Sequence, residues 1–363
     1  MSKKKCIIVT SNEPWGDLWF SKQHYANELS KLGNKVFFVN PVSRWKLSNI
    51  FSFRVHEQIL SENLSVLQYK NNFPIWKAKK SLVLISDFML CLKLYFFLKK
   101  RIHSEVIWWK FDVFRLVNIF FFPKKKIIFH AVDPYKHFWQ DLEQTKKADL
   151  VVCSSQKFLP SYHDYGFDPL LVLHGIPREE IDVRNNKLSN ELRAKHGKYA
   201  IITGSITYYW DYEMLNILLE DGVKILVAGP PSEESEWNAL QQHKQLVYLG
   251  LLHAQQLKYY IAAAEFCIIP YTKASYSFVG TPLKMLNYLA QLKPVITLFP
   301  TELPEKLSSA ILFSDTPKDC VENAKQILSG KLRINEAAVL DYLEQMSYPK
   351  LINKILSSLA NNS

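Results

Sequence analysis

Short apolar runs alternate with longer mixed segments along most of the chain. Cys6-Ile7-Ile8-Val9-Thr10 predicts a first strand, Ser21 to Leu32 a helix, and Val36 to Asn40 a second strand. Gly33 lies between them, where a helix ends in the left-handed conformation. Further strands are predicted at Ser65 to Tyr69, Val106 to Trp109, Lys126 to Ala131, Leu150 to Ser154 and Leu170 to Leu173. After a polar stretch, Arg178 to Lys198, a second alternation begins with Tyr199 to Thr203. Val223 to Ala228, Val247 to Gly250, a helix from Ala254 to Ala264, the strand Glu265 to Tyr271, a helix from Thr281 and the strand Val295 to Phe299 complete it. Strands that read as unbroken apolar runs are buried on both faces, which argues for parallel sheets covered by helices. The expected architecture is α/β, with two Rossmann-like domains. These are an N-terminal domain over 1–180, a hinge over 181–198, and a C-terminal domain over 199–345. A last helix over 346–363 is a candidate for crossing back to the first domain.

Composition supports this and adds an asymmetry. The 363 residues, 48% hydrophobic and 22% charged, describe a globular chain long enough for two cores. Residues 1–180 hold 27 Lys and Arg against 16 Asp and Glu, which accounts for the whole net charge of +11. An acidic partner is therefore expected on the first domain. No zinc-finger spacing, Gly-x-x-Gly clamp or RNP-type aromatic motif is present, so nucleic acid is not the expected partner. The five cysteines stand isolated, four of them in apolar runs, and read as buried thiols of a reducing compartment. Met1-Ser2-Lys3-Lys4-Lys5 runs straight into a strand without the apolar length of a signal peptide, and a cytoplasmic location is expected.

The segment Ser81 to Arg101 is apolar enough to approach a bilayer, but Asp87 and Lys93 inside it make spanning costly. Lys77, Lys79 and Lys80 precede it, and Lys99, Lys100 and Arg101 close it. Ile119-Phe120-Phe121-Phe122-Pro123-Lys124-Lys125-Lys126 again sets aromatics beside lysines. Such mixtures suit a surface resting among headgroups, so peripheral association with an anionic membrane, at its inner face, is expected.

Candidate chemistry concentrates near Thr281-Pro282-Leu283-Lys284-Met285-Leu286-Asn287-Tyr288-Leu289-Ala290. Thr281 is a good N-cap and Pro282 is favoured at the first helical position. Lys284 then adds a full charge to the free N–H groups of a helix start, with Asn287 on the same face: a site for a diphosphate. Upstream, Ile268-Ile269-Pro270-Tyr271 ends a strand, and strand, loop and helix N-terminus is how open α/β sheets bind nucleotides. Gly204-Ser205-Ile206 with Tyr209-Trp210-Asp211 follows another strand, where a glycine permits close backbone approach and aromatics can pack on a base or sugar.

This block resembles the donor-nucleotide site of GT-B glycosyltransferases, in which P-x-K-x-x-E-Y-L-A-x-G-x-P-V-V is common. Asn287 stands where that pattern has glutamate, and Leu292 where it has glycine. Gly229-Pro230 and Leu249-Gly250 fall in the family's order. The resemblance implies the GT-B layout, two Rossmann-like domains facing a cleft, with Gly204, Ser205, Tyr209, Tyr271, Thr281, Lys284 and Asn287 toward the donor.

On the acceptor side, the apolar strand Lys126 to Ala131 leads to Asp133, whose carboxylate at a strand's C-terminal end is placed to take a proton from an acceptor hydroxyl. His130 is the rival base, on the opposite face of the strand. In a GT-B fold, Trp15, Gly16, Lys22 and His24 border the cleft. No Asp-x-Asp occurs, so no metal is expected; Lys284 and the helix dipole would stabilise the departing diphosphate. Lys284, Asn287, Tyr271 and Asp133 are similar in type and order to residues of a further group, the membrane-associated glucuronosyltransferase of xanthan assembly, an inverting GT-B enzyme. That resemblance implies a UDP-sugar as co-substrate, no cofactor, and a lipid-linked oligosaccharide or other glycan acceptor. Alternatives are a retaining GT-B transferase, which would tolerate Asp133→Asn better, and a non-catalytic glycan- or lipid-binding relative.

Overall fold

A computed structural model describes residues 5–16, 19–42, 46–73, 79–102, 105–122, 124–230, 232–277, 283–299 and 303–362. The chain divides into two compact units, Met1–Leu173 with Tyr348–Ser363, and His174–Ser347.

The first unit runs β1 (Cys6–Thr10), α1 (Ser21–Lys31), β2 (Lys35–Val39), β3 (Val55–Ser61), β4 (Leu64–Tyr69), α2 (Lys80–Leu98), β5 (Val106–Lys110), β6 (Lys125–Ala131), α3 (Trp139–Lys147), β7 (Leu150–Cys153), α4 (Leu159–His163) and β8 (Leu170–Leu171). Its eight-stranded sheet has the order β3-β4-β2-β1-β5-β6-β7-β8, parallel except where β3 returns antiparallel on β4. At the centre Ile8 pairs with Phe37 on one side and Trp108 on the other. Successive side chains of a strand point to opposite faces, and here both faces are apolar. Ile7, Val9, Phe38 and Trp109 meet Tyr25, Ala26 and Leu29 of α1. Cys6, Ile8, Phe37 and Trp108 meet Leu90, Cys91, Leu94 and Leu98 of α2. Gly33 has φ +86°, the left-handed conformation expected after α1.

The second unit holds α5 (Lys187–His196), β9 (Ala200–Thr203), α6 (Tyr212–Glu220), β10 (Ile225–Ala228), α7 (Ser235–Leu240), β11 (Leu246–Gly250), α8 (Ala254–Ala263), β12 (Phe266–Ile269), α9 (Leu283–Ala290), β13 (Val295–Thr297), β14 (Ile311–Phe313), α10 (Pro317–Leu328) and α11 (Glu336–Gln345). Its six-stranded sheet, order β11-β10-β9-β12-β13-β14, is parallel throughout. The last helix, α12 (Tyr348–Asn361), belongs to the first unit and buries Tyr348, Leu351, Ile352, Ile355 and Leu359 in the core beside α1.

The division falls between Leu173 and His174, not at a hinge over 181–198. That stretch is packed into the second unit: the Asp182 N–H donates to the Ala290 carbonyl at 2.7 Å, and the Val183 N–H to Gln291 Oε1 at 3.0 Å. Its charges lie on the outside of α5, while Ser189 and Leu192 turn inward, so polar composition marked a surface helix and not a linker. All five cysteines are buried free thiols.

Candidate functional site

In the second unit, three strands end side by side in glycine. The Gly204 N–H, beyond β9, donates to the Ala228 carbonyl of β10 at 2.9 Å, and the Gly229 N–H donates to the Gly250 carbonyl of β11 at 3.0 Å. A Cβ on Gly229 would lie 2.0 Å from the Gly204 oxygen, so only glycine permits this approach. Gly204 has φ +98°, which turns its backbone across the sheet's C-terminal edge. Ser205 beside it is exposed.

Helix α9 is fastened below that edge. Tyr288 Oη accepts from the Thr203 N–H at 2.8 Å and lies 3.1 Å from Thr203 Oγ1. Lys284 stands one turn earlier on the same face. Its Nζ sits 3.2 Å from the place a Cβ on Gly204 would take and 4.6 Å from the centroid of the Tyr271 ring. The residue is half-buried, but Nζ itself is closed off from solvent and has no hydrogen-bond partner among the described residues. Burial drives its pKa down from 10.5 to about 7, because the charged form loses its hydration. Asn287, a further turn along, is half-buried. Thr281, the expected N-cap, lies outside the described residues.

Tyr271 is held rigidly. Its ring meets Tyr209 edge-on at 5.1 Å and Phe299 at 5.6 Å, and its backbone pairs with Trp210 in an isolated bridge. The Asp211 N–H donates to the Pro270 carbonyl, while the Asp211 carboxylate caps α6 through the Met214 N–H at 2.8 Å. One residue, through its backbone N–H and its side chain, thus ties the end of β12 to a helix start. Gly204, Tyr209 and Tyr271 are brought together with Lys284, whose buried amine has no hydrogen-bond partner among the described residues, at the carboxyl ends of parallel strands.

Leu292 adopts φ +51°. The GT-B pattern has glycine at this position, and the left-handed backbone is the physical reason glycine suits it.

The first unit holds the acceptor-side residues. Asp133, just past β6, is exposed and accepts a hydrogen bond from Tyr135 Oη at 3.0 Å. His130 is 1% exposed; the Trp109 indole N–H donates to its Nδ1 at 3.3 Å, and Phe111 and Tyr25 flank its ring. Asp133 thus faces solvent, whereas His130, expected on the acceptor side, is enclosed in the first unit's core by Trp109, Phe111 and Tyr25.

The loop after β1 is more internally bonded than the sequence suggested. Lys22 is buried, with Nζ 2.5 Å from Glu13 Oε2. His24 stacks on Tyr348 with ring centroids 5.2 Å apart. The Trp15 N–H donates to Asn40 Oδ1 at 2.8 Å, and its ring packs on Phe38 and Trp19. Gly16 is exposed, with open space where a side chain would begin.

Sequence reasoning missed Arg115. Its guanidinium donates to the Ser11 carbonyl at 2.6 Å, the Asn40 carbonyl at 3.1 Å, Tyr69 Oη and the Asp112 carboxylate. It thereby gathers the C-terminal ends of β1, β2, β4 and β5. The only signal was an Asp and an Arg three apart in an otherwise apolar run.

No protein-family model and no curated protein matches the chain. Solved structures do match over nearly its whole length. Trehalose-6-phosphate synthase, studied for glycosyl transfer with retention, is 14% identical, covers 98% of this chain and 99% of its own, and gives a TM-score of 0.68. The HepE protein of Anabaena in complex with UDP is 12% identical, covering 99% and 100%, with a TM-score of 0.69. The lipopolysaccharide outer core galactosyltransferase WaaB is 12% identical, covering 98% and 99%, with a TM-score of 0.60. Two mostly parallel sheets, each ending in the loops described, give this chain the fold of the GT-B glycosyltransferases.

Proposed function

We propose that the protein is a glycosyltransferase that moves a sugar from a UDP-sugar to a lipid-linked or polysaccharide acceptor in cell-surface glycan synthesis. The observation that carries this is Lys284 Nζ, buried beneath Gly204 and beside Tyr271 without a hydrogen-bond partner among the described residues. A cation in that state is stabilised by an anion, and the leaving group of sugar transfer from a nucleotide is a diphosphate. Lys284 and the start of α9 hold that diphosphate and stabilise the charge it gains, so the chain needs no metal for this step. Tyr209, Tyr271 and Asn287 orient the nucleotide or sugar. Asp133 takes the proton of the acceptor hydroxyl as that oxygen displaces the diphosphate with inversion. Glucuronate is the first sugar to test. Likeness to an enzyme studied for transfer with retention supports a second reading, the retaining reaction, and the anomeric configuration of the product separates the two.

Calorimetric titration with UDP, with and without chelator, tests the reading. Binding is expected to be insensitive to chelator and to weaken about 100-fold in Lys284→Ala, since truncating one side of a buried charge pair costs roughly 2–5 kcal/mol. A chain that binds none of UDP, GDP or ADP would not be a transferase, and a glycan- or lipid-binding role would replace this one.

A further inference from the structure

Helix α2 is built inside out. In a helix covering a sheet, polar residues ordinarily face water and apolar ones face the core. Here the two charged residues within the helix, Asp87 and Lys93, turn inward. The Asp87 carboxylate accepts the backbone N–H groups of Leu116 at 2.6 Å, Val117 at 2.8 Å and Asn118 at 3.5 Å. Lys93 Nζ donates to the Lys70 carbonyl at 2.7 Å, and Ser86 is buried as well. The large side chains that remain outside are apolar: Leu82, Ile85, Phe88 and Phe96, with Phe88 41% and Phe96 57% exposed. Phe121 extends the patch, its ring 5.1 Å from that of Phe88. Its φ of +65° is rare for an aromatic residue, so the backbone holds a conformation that keeps this ring partly exposed at 37%.

Positive charge surrounds the patch. Lys79 and Lys80 stand exposed at one end of α2, Lys99, Lys100 and Arg101 at the other, and Lys124 beside the Phe120–Phe122 turn. Lys80 is engaged by Glu143 and Arg101 by Glu57, so the charge offered outward is that of Lys79, Lys99, Lys100 and Lys124. Lys99 Nζ lies 4.6 Å over the Phe96 ring, the arrangement of a side chain whose stem follows apolar surface while its head reaches for solvent. The helix is long and apolar enough to cross a bilayer, yet Leu90, Cys91, Leu94 and Leu98 are already spent on the sheet. It can lie on a membrane and cannot traverse one in this fold.

We propose that the outer face of α2, with Phe121, docks the protein flat on an anionic lipid bilayer. Apolar side chains enter the acyl boundary while the flanking lysines meet headgroup phosphates, the complementarity that the clustered positive charge supplies. The use of this face, presenting the enzyme to a lipid-linked acceptor, rests on the proposed function; the docking itself does not.

Flotation of the full chain with vesicles decides it, using phosphatidylcholine alone or with phosphatidylglycerol. Wild type should partition onto the phosphatidylglycerol vesicles and weaken with added salt. The triple variant Ile85→Ser, Phe88→Ser, Phe96→Ser should lose about tenfold or more in partitioning, while Lys99→Glu with Lys100→Glu should lose the preference for anionic lipid. Circular dichroism and UDP titration of the same samples show whether each variant is folded. Equal partitioning of the triple variant and wild type, or no binding of wild type to anionic vesicles, overturns the proposal. So does lipid-free self-association of wild type that the triple variant abolishes, since the face would then cover a second copy. Loss of UDP binding by wild type with vesicle binding intact sinks the sugar-transfer reading alone.

Discussion

Lys284 carries a cost that depends on pH. Burial lowers its pKa to about 7, whereas in the unfolded chain it titrates near 10.5. Between those values the unfolded state holds a proton that the folded state has released, so stability rises with pH across that window. Below about pH 7 the folded protein must bury the charge, and the penalty is complete. Lys284→Met is therefore expected to raise the thermal midpoint at pH 6, with the gain shrinking toward pH 10. The same linkage predicts proton uptake when a diphosphate binds at pH 8, because the anion restores the charged form. Titration in two buffers of different ionisation enthalpy would give different heats; equal heats would mean that Lys284 is already charged in the empty site. The sequence placed this lysine near a helix start after a strand and a loop. It did not disclose the burial of Nζ, which depends on Gly204 and Tyr271 arriving from distant parts of the chain. Leu292 is a related case: the sequence showed a departure from the motif's glycine, and only the structure showed that the backbone there is left-handed, with φ +51°.

Among the elements, α2 separates what hydropathy can tell from what it cannot. Its length and apolarity were legible, and Asp87 and Lys93 read as obstacles to a membrane. Which face they occupy was not legible, since a helix apolar nearly all round carries little periodicity. The answer lay in partners far along the chain, the 116–118 backbone for Asp87 and Lys70 for Lys93. Asp87 is also what holds the turn containing Leu116, another residue with positive φ. Asp87→Ala would leave three backbone N–H groups without their acceptor, two of them buried with Leu116 and Val117, and should cost about 2–4 kcal/mol. Asp87→Asn keeps one acceptor oxygen and should cost less. Urea unfolding would give the cost, and faster amide exchange confined to 116–118 would assign it; an Ala variant as stable as wild type would show the turn to be self-supporting. The central strands were readable because apolar residues fill both faces. Strand β3 was not, because Val55–Ser61 is an edge strand with largely exposed side chains, set only by its hairpin to β4.

At the scale of the whole molecule, the chain leaves its first unit at Leu173 and returns to it at Tyr348. The amphipathic pattern of the last helix was visible in the sequence. Its return to the first unit was expected from the resemblance to the GT-B layout and not from its own pattern, since either sheet offers apolar surface. Five of its side chains complete the first core: Tyr348 beside Tyr25 and His24, then Leu351, Ile352, Ile355 and Leu359. Fully burying a large apolar side chain is worth roughly 1.5–3 kcal/mol, so five together approach the entire stability of about 5–15 kcal/mol typical of a domain. Removing residues 348–363 should therefore abolish cooperative unfolding of the first unit and expose Tyr25 and Leu29 to solvent. The second unit keeps its own core and its own strand ends, because among the described residues its buried cluster runs from Ile176 to Leu343. Limited proteolysis of the truncated chain should accordingly degrade the first unit and leave a resistant fragment near 174–347 that still binds UDP if the donor site is as proposed. A truncated chain that melts like the full one, with the first unit equally resistant, would mean that α12 merely rests on a core already complete without it.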